Sequence, residues 1–174
     1  MIALAAAGAG CGADFETETF SADLADGWNS SEDIADFVAG SASVSLDTAS
    51  AEIVATLVPD DPPPGMVMIA RYPSIPGGAS DAASLQALIA GGSSGMPAGT
   101  PAPTPTELAE EQAYELNVPA VPAMGGASAG SARMLLSIHE GDAYAVIQIA
   151  TDPATLAEQS IGFTKVVDSW EWKD

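Results

Sequence analysis

ARMLLSIHEGDAYAVIQIATDPATLAEQSIGFTKVVDSW, residues 132–170, carries the clearest structural signals in the chain. Ala132 to His139 and Asp142 to Thr151 are two apolar, β-branched and aromatic runs. Glu140-Gly141 joins them and predicts a tight hairpin, because glycine supplies the positive φ that a two-residue turn needs. Asp152-Pro153 then predicts a helix start: the aspartate caps free amides, and the proline lacks a donor at a position that needs none. Leu156, Phe163, Val167 and Trp170 fall on one face of the continued helix, as a stripe suited to pack on a sheet.

Working outward, Phe20, Ala22 and Leu24 alternate before an Asp26-Gly27 turn and Trp28. Strand-like runs follow at Val44 to Leu46 and Glu52 to Val58. Asp60-Asp61-Pro62-Pro63-Pro64-Gly65 interrupts them, since three prolines donate no backbone hydrogen bonds. Gly65 to Tyr72 reads as a strand, with Met66, Met68, Ala70 and Tyr72 on one face. Ser80-Asp81 opens a helix with Leu85, Leu88 and Ile89 at helical spacing, and Gly91-Gly92 closes it. Residues 91–106, GGSSGMPAGTPAPTPT, read as a mobile Gly/Pro/Ser loop, and Glu110 to Val118 as a further strand. The order of strands, helix, strands and long terminal helix predicts an α+β domain with helices covering an antiparallel sheet.

The chain has 174 residues, which suits one domain that buries roughly 70% of its unfolded surface. Lys and Arg total 4 against 24 Asp and Glu, a formal charge of −20. Nucleic acid is excluded as an expected partner, because phosphate contacts need a basic footprint. Direct docking on anionic lipid is disfavoured for the same reason. The four basic side chains, Arg71, Arg133, Lys165 and Lys173, cannot neutralise most of the acids. The surface therefore reads as that of a secreted acidic protein or of one adapted to high salt, where screening relieves self-repulsion.

Residues 1–10, MIALAAAGAG, are apolar and small, and too few to span a bilayer, which takes about 20 residues. They suit the apolar region and cleavage zone of a signal peptide. Gly8-Ala9-Gly10-Cys11 resembles the bacterial lipoprotein box. That resemblance implies cleavage before Cys11, a diacylglyceryl thioether on its sulfur, and tethering to a membrane face. A plain secretory signal and a cytosolic chain are the other readings. A single cysteine makes no internal disulfide. Residues 11–19 then serve as an acidic tether, and residues 20–174 form the domain.

Several side chains suggest chemistry. Gly126-Ala127-Ser128-Ala129-Gly130 fits the G-x-S-x-G elbow of serine hydrolases, and His139 follows 11 residues later. Gly91-Gly92-Ser93-Ser94-Gly95 fits the same pattern, which marks both as products of a Gly, Ala and Ser-rich composition. An isolated histidine at a strand end is ordinarily a hydrogen-bonded or solvent-facing residue. One cysteine and one histidine do not make a zinc site. Asp60-Asp61 beside a rigid turn offers oxygen ligands for weak calcium binding, but no EF-hand loop is present. Met66, Met68 and Met124 read as core, with an adaptable groove as the alternative. Asn29-Ser30-Ser31 fits a glycosylation acceptor that a bacterial address makes incidental.

Three stretches together resemble the PsbP-like fold family and related small bacterial lipoproteins of the LpqN group. They are Phe20 to Leu24 running into Gly27-Trp28; the hairpin Met134 to Ile138 returning as Tyr144 to Ile149; and the closing Phe163, Val166, Val167, Ser169 and Trp170. The resemblance spans about residues 20–172. It implies an α/β/α sandwich acting as an accessory or binding module at a membrane face, without catalysis, and it transfers no functional residue. The resulting expectation is a monomeric cell-envelope lipoprotein without cofactor or bound metal. Its membrane contact is the lipid alone, and it binds a protein or small ligand through loops 59–65 and 91–106. A small serine hydrolase using Ser128 and His139 and a salt-adapted domain with weak calcium binding are the alternatives.

Overall fold

The structure, a computed structural model, describes residues 14–30, 52–60, 65–73, 101–121 and 130–173. The strands are β1 (Asp14–Glu16), β2 (Phe20–Asp23), β3 (Trp28–Ser30), β4 (Glu52–Pro59), β5 (Gly65–Tyr72), β6 (Thr104–Leu108), β7 (Glu111–Val121), β8 (Gly130–His139), β9 (Asp142–Ala150) and β10 (Glu171–Trp172). Two helices, α1 (Pro153–Glu158) and α2 (Ser160–Asp168), stand between β9 and β10. Seven strands form one antiparallel sheet in the order β3-β4-β5-β9-β8-β7-β6, and β1-β2-β10 form a small second sheet.

The hairpin at 132–151 forms as its sequence predicts. Glu140 and Gly141 adopt φ of 50° and 89°, and β8 pairs with β9 from His139↔Asp142 to Ser131↔Ala150. Both faces of the large sheet are buried, which explains why β9 reads as a nearly unbroken apolar run. Val67, Ile69, Leu135, Tyr144 and Val146 face the helix side. Met68, Ala70, Leu136, Ala145 and Ile147 face the other side.

Four expectations need correction. The single long terminal helix is two short ones, broken at Gln159 (φ −93°, ψ 10°), and it ends at Asp168. The break lets Gln159 turn inward against Gly65, where a Cβ would lie 1.8 Å from Gln159 Oε1. It also lets α2 lie flat on Trp28 through Gly162, whose Cβ would meet that indole at 2.5 Å. Trp170 therefore packs from beyond the helix, and the chain turns back as β10. Secondly, sheet dominates the described residues, so the helical cover is thinner than an α+β sandwich with a long helix implies.

Thirdly, the acidic tether is not wholly solvated. Asp14–Glu16 pair with β2, and Phe15 is buried at 8% exposure against Phe20, so one apolar residue among acids docks the segment. Lastly, the loop expected over 91–106 is strand from Thr104, and the expected strand start at Glu110 is a turn. Ala109 and Glu110 take φ of 47° and 68° to close β6 onto β7. Pro105 is tolerated because β6 is the sheet edge. The expected strand at 44–46, the helix opening at Ser80 and the stretch 91–100 lie outside the described residues.

Asp152 caps α1 as expected. Its Oδ1 accepts from the amides of Ala154 at 2.9 Å and Thr155 at 3.0 Å, and its Oδ2 from the Thr155 hydroxyl at 2.8 Å. The Thr155 amide and hydroxyl hold the Asp152 carboxyl below its ordinary range.

Candidate functional site

Five polar side chains cross the hairpin end of the large sheet on its helix side, in the order Glu52, Arg71, Asp142, His139, Glu111. Strand alternation and register bring them together: Glu52 opposes Arg71 across β4 and β5, and His139 opposes Asp142 across β8 and β9. Arg71 Nη1 lies 3.8 Å from Glu52, and its Nε donates to Asp142 Oδ2 at 2.7 Å. That bond to Asp142 raises the Arg71 guanidinium further above its already high range. At the other end His139 Nδ1 and Glu111 Oε1 are 2.9 Å apart, across 28 residues of sequence. Glu111 Oε2 is buried without a hydrogen-bond partner.

An aromatic cluster stands against this row. Phe20 stacks on Trp170 at 3.9 Å and 11°, and Tyr144 meets both edge-on. Trp172 lies edge-on to Tyr144 at 5.0 Å and parallel to the His139 imidazole at 4.0 Å and 3°. The indole N–H groups of Trp170 and Trp172 are buried without acceptors. The small sheet holds Trp172 in place. The Lys173 amide donates to Thr19 O at 2.9 Å, and its ammonium donates to Glu16 at 2.6 Å and to Thr17 O at 2.7 Å. Hydrogen bonding to Lys173 lowers the pKa of the Glu16 carboxyl.

Beside the cluster, an open groove of about 370 Å³ is lined by Glu16, Ser21, Ala22, Asp23, Ser169 and Glu171. Lys165 is paired with Asp23, and Ser169 Oγ accepts from the Asp23 amide at 2.7 Å. Arg133, the remaining cation, forks onto Glu115 at 2.9 and 3.1 Å and lies 4.4 Å above the Phe163 ring. The Arg133 contact holds the Glu115 carboxyl below its usual range. All four basic side chains are thus engaged with acids of the same chain. Among the described residues, no three His, Cys, Asp or Glu side chains converge as a metal site.

The residues singled out in the sequence scatter. His139 joins the row and the cluster. Cys11, Ser128, Asp61 and Met124 lie outside the described residues. Asn29 Nδ2 bonds to Asp60, tying β3 to the end of β4. Met68 is core, and Met66 packs against the same cluster. Sequence reasoning missed Glu111 and Trp172. The one available signal was the aromatic at 172, two residues past the helical stripe.

No protein-family model and no curated protein sequence matches the chain. Solved structures do. Cyanobacterial PsbP (CyanoP) from Synechocystis sp. PCC 6803 aligns at TM-score 0.56 and 10% identity, covering 98% of each chain. LpqN of Mycobacterium tuberculosis, described as involved in cell envelope biogenesis, aligns at TM-score 0.55 and 12% identity. That alignment covers 95% of this chain and 87% of LpqN. The fold is PsbP-like. A Bacteroides thetaiotaomicron protein aligns at TM-score 0.50 and 14% identity over 89% of this chain, which spans only 45% of that protein. The PsbP-like fold thus carries, in this chain, an aromatic cluster and charged row at one end and an acidic groove beside them.

Proposed function

We propose that the protein is a lipid-anchored accessory protein of the bacterial cell envelope that binds a protein or small ligand and catalyses nothing. The observation that carries this reading is the near-complete, two-way likeness to LpqN, a protein of cell envelope biogenesis. The lipoprotein-box resemblance at Gly8 to Cys11 agrees with it. Lipid on Cys11 is then the only membrane contact, and the connections 60–64 and 91–103, the expected loops less the residues taken up by β4, β5 and β6, form the binding surface of a monomer. Such loops on a rigid sheet are where recognition ordinarily resides. Its test is the intact mass of the protein extracted from its native membrane fraction. A mass beginning at Cys11 with added acyl groups is expected, and a mass retaining residues 1–10 without lipid overturns the anchor.

The acidic surface supports a second reading, adaptation to high salt. With all four cations engaged internally, no basic side chain is left over to offset the other carboxylates of the chain. Salt of any kind then raises the melting temperature by screening. A response confined to calcium, with a saturable isotherm, would indicate a specific ion site instead.

A further inference from the structure

His139 is the only histidine in the chain, and its ring is held on two sides. Glu111 from β7 meets Nδ1 at 2.9 Å, and Trp172 from β10 covers the ring face at 4.0 Å and 3°. Its ring is only 16% exposed. The other charged groups around it are accounted for. Asp142 on β9, opposite His139, is taken up by Arg71 of β5, which also reaches Glu52 of β4. Glu140 is the next residue in the turn. Glu171 and Lys173 flank Trp172, and Lys173 is committed to Glu16.

Along the row the charges run negative, positive, negative, then imidazole, then negative. The neutral ring leaves a gap in that alternation, and the imidazolium fills it. Protonation sets a positive charge against the Glu111 carboxylate, whose second oxygen has no partner, and over the electron-rich face of Trp172. Imidazole is the side chain that makes such a change near neutral pH. Trp172 is half of a two-residue strand paired through Phe20↔Trp172 and Glu171↔Ser21, so whatever grips its indole also fixes β10 on β2.

We infer that His139 is a proton-operated clasp: its protonated ring tightens the C-terminal strand β10 onto the sheet, and its neutral ring loosens it. The clasp stands independently of the envelope reading.

A lone histidine gives one Hε1 ring resonance with no overlap from others of its kind, so NMR of the full chain between pH 5.5 and 8.5 tests this directly. The amide resonances of Glu171, Trp172 and Lys173 are expected to move along the same curve as the His139 ring. Exchange of the Lys173 amide, corrected for intrinsic rate, should be about three-fold slower on the acid side, the scale of one exposed cation–π contact. His139→Phe keeps a ring on Trp172 and removes the proton, so both responses should vanish. Glu111→Gln should shrink them. β10 amides that ignore the ring titration in the native protein overturn the clasp, whatever the variants do. So does a response that persists unchanged in His139→Phe.

Discussion

Two parallel ring stacks, Phe20 on Trp170 and His139 on Trp172, fasten the same corner of the molecule with nearly identical geometry. The first is sealed: Phe20 and Trp170 are 0% and 3% exposed. The second sits at the rim, with a titratable ring on one side and a carboxylate at its edge. Equal geometry therefore gives unequal energetics. The inner stack derives its strength from buried area and carries no charge for salt to screen or protons to titrate. The outer stack derives more of its strength from charge, so solution conditions reach it.

The largest expected effect comes from breaking the inner stack. Phe20→Ala should lower the unfolding free energy by about 3–5 kcal/mol, since it empties a fully buried aromatic site. Denaturant melts check this, and a loss comparable to that at the rim would erase the distinction between the stacks. Trp172→Ala should be milder, about 1–3 kcal/mol, because Trp172 is only half-buried. Its loss should also expose β10 to proteolysis before the rest of the chain.

Smaller effects sharpen the contrast by isolating electrostatics away from the stacks. Asp152 and Glu115 have carboxyls held below their ordinary range in the folded state. Their stabilisation is fully present above the unfolded carboxylate pKa near 4 and is lost as pH falls through the depressed folded values. Asp152→Asn and Glu115→Gln should therefore flatten the acid limb of a thermal-melt profile and leave its neutral region unchanged in shape. The smallest effect concerns the turn that delivers Glu111 to the rim. Replacing Ala109-Glu110 with Asn-Gly, residues at ease with positive φ, should stabilise by about 0.5–1 kcal/mol without moving the ring resonance of His139.

That turn also shows what the sequence could and could not disclose. Glu140-Gly141 was legible because glycine announces its φ; Ala109-Glu110 closes an equivalent hairpin with no such residue, so β6 read as loop. Pairing with β7 overrides local preference there. The helix break was hidden for a similar reason. Gln159 is a good helix former, and only contacts across the fold, with Gly65 and through Gly162 with Trp28, turn the chain aside. Phe15 was the visible clue that the acidic segment docks. Glu111 offered none, because its partner arrives from 28 residues away through strand register. The clasp and its charged row are tertiary products of individually ordinary residues.

The arrangement of the small sheet has a mechanical consequence. β1 and β10 flank β2 and both run antiparallel to it, with Asp14 beside Asp23 and Trp172 beside Phe20. A pull on the two ends of the folded chain therefore drags the outer strands in opposite directions along β2. The inter-strand hydrogen bonds lie across that direction and share the load together, where peeling would rupture them one at a time. Tension between the two ends of this fold meets its smallest sheet in its strongest orientation.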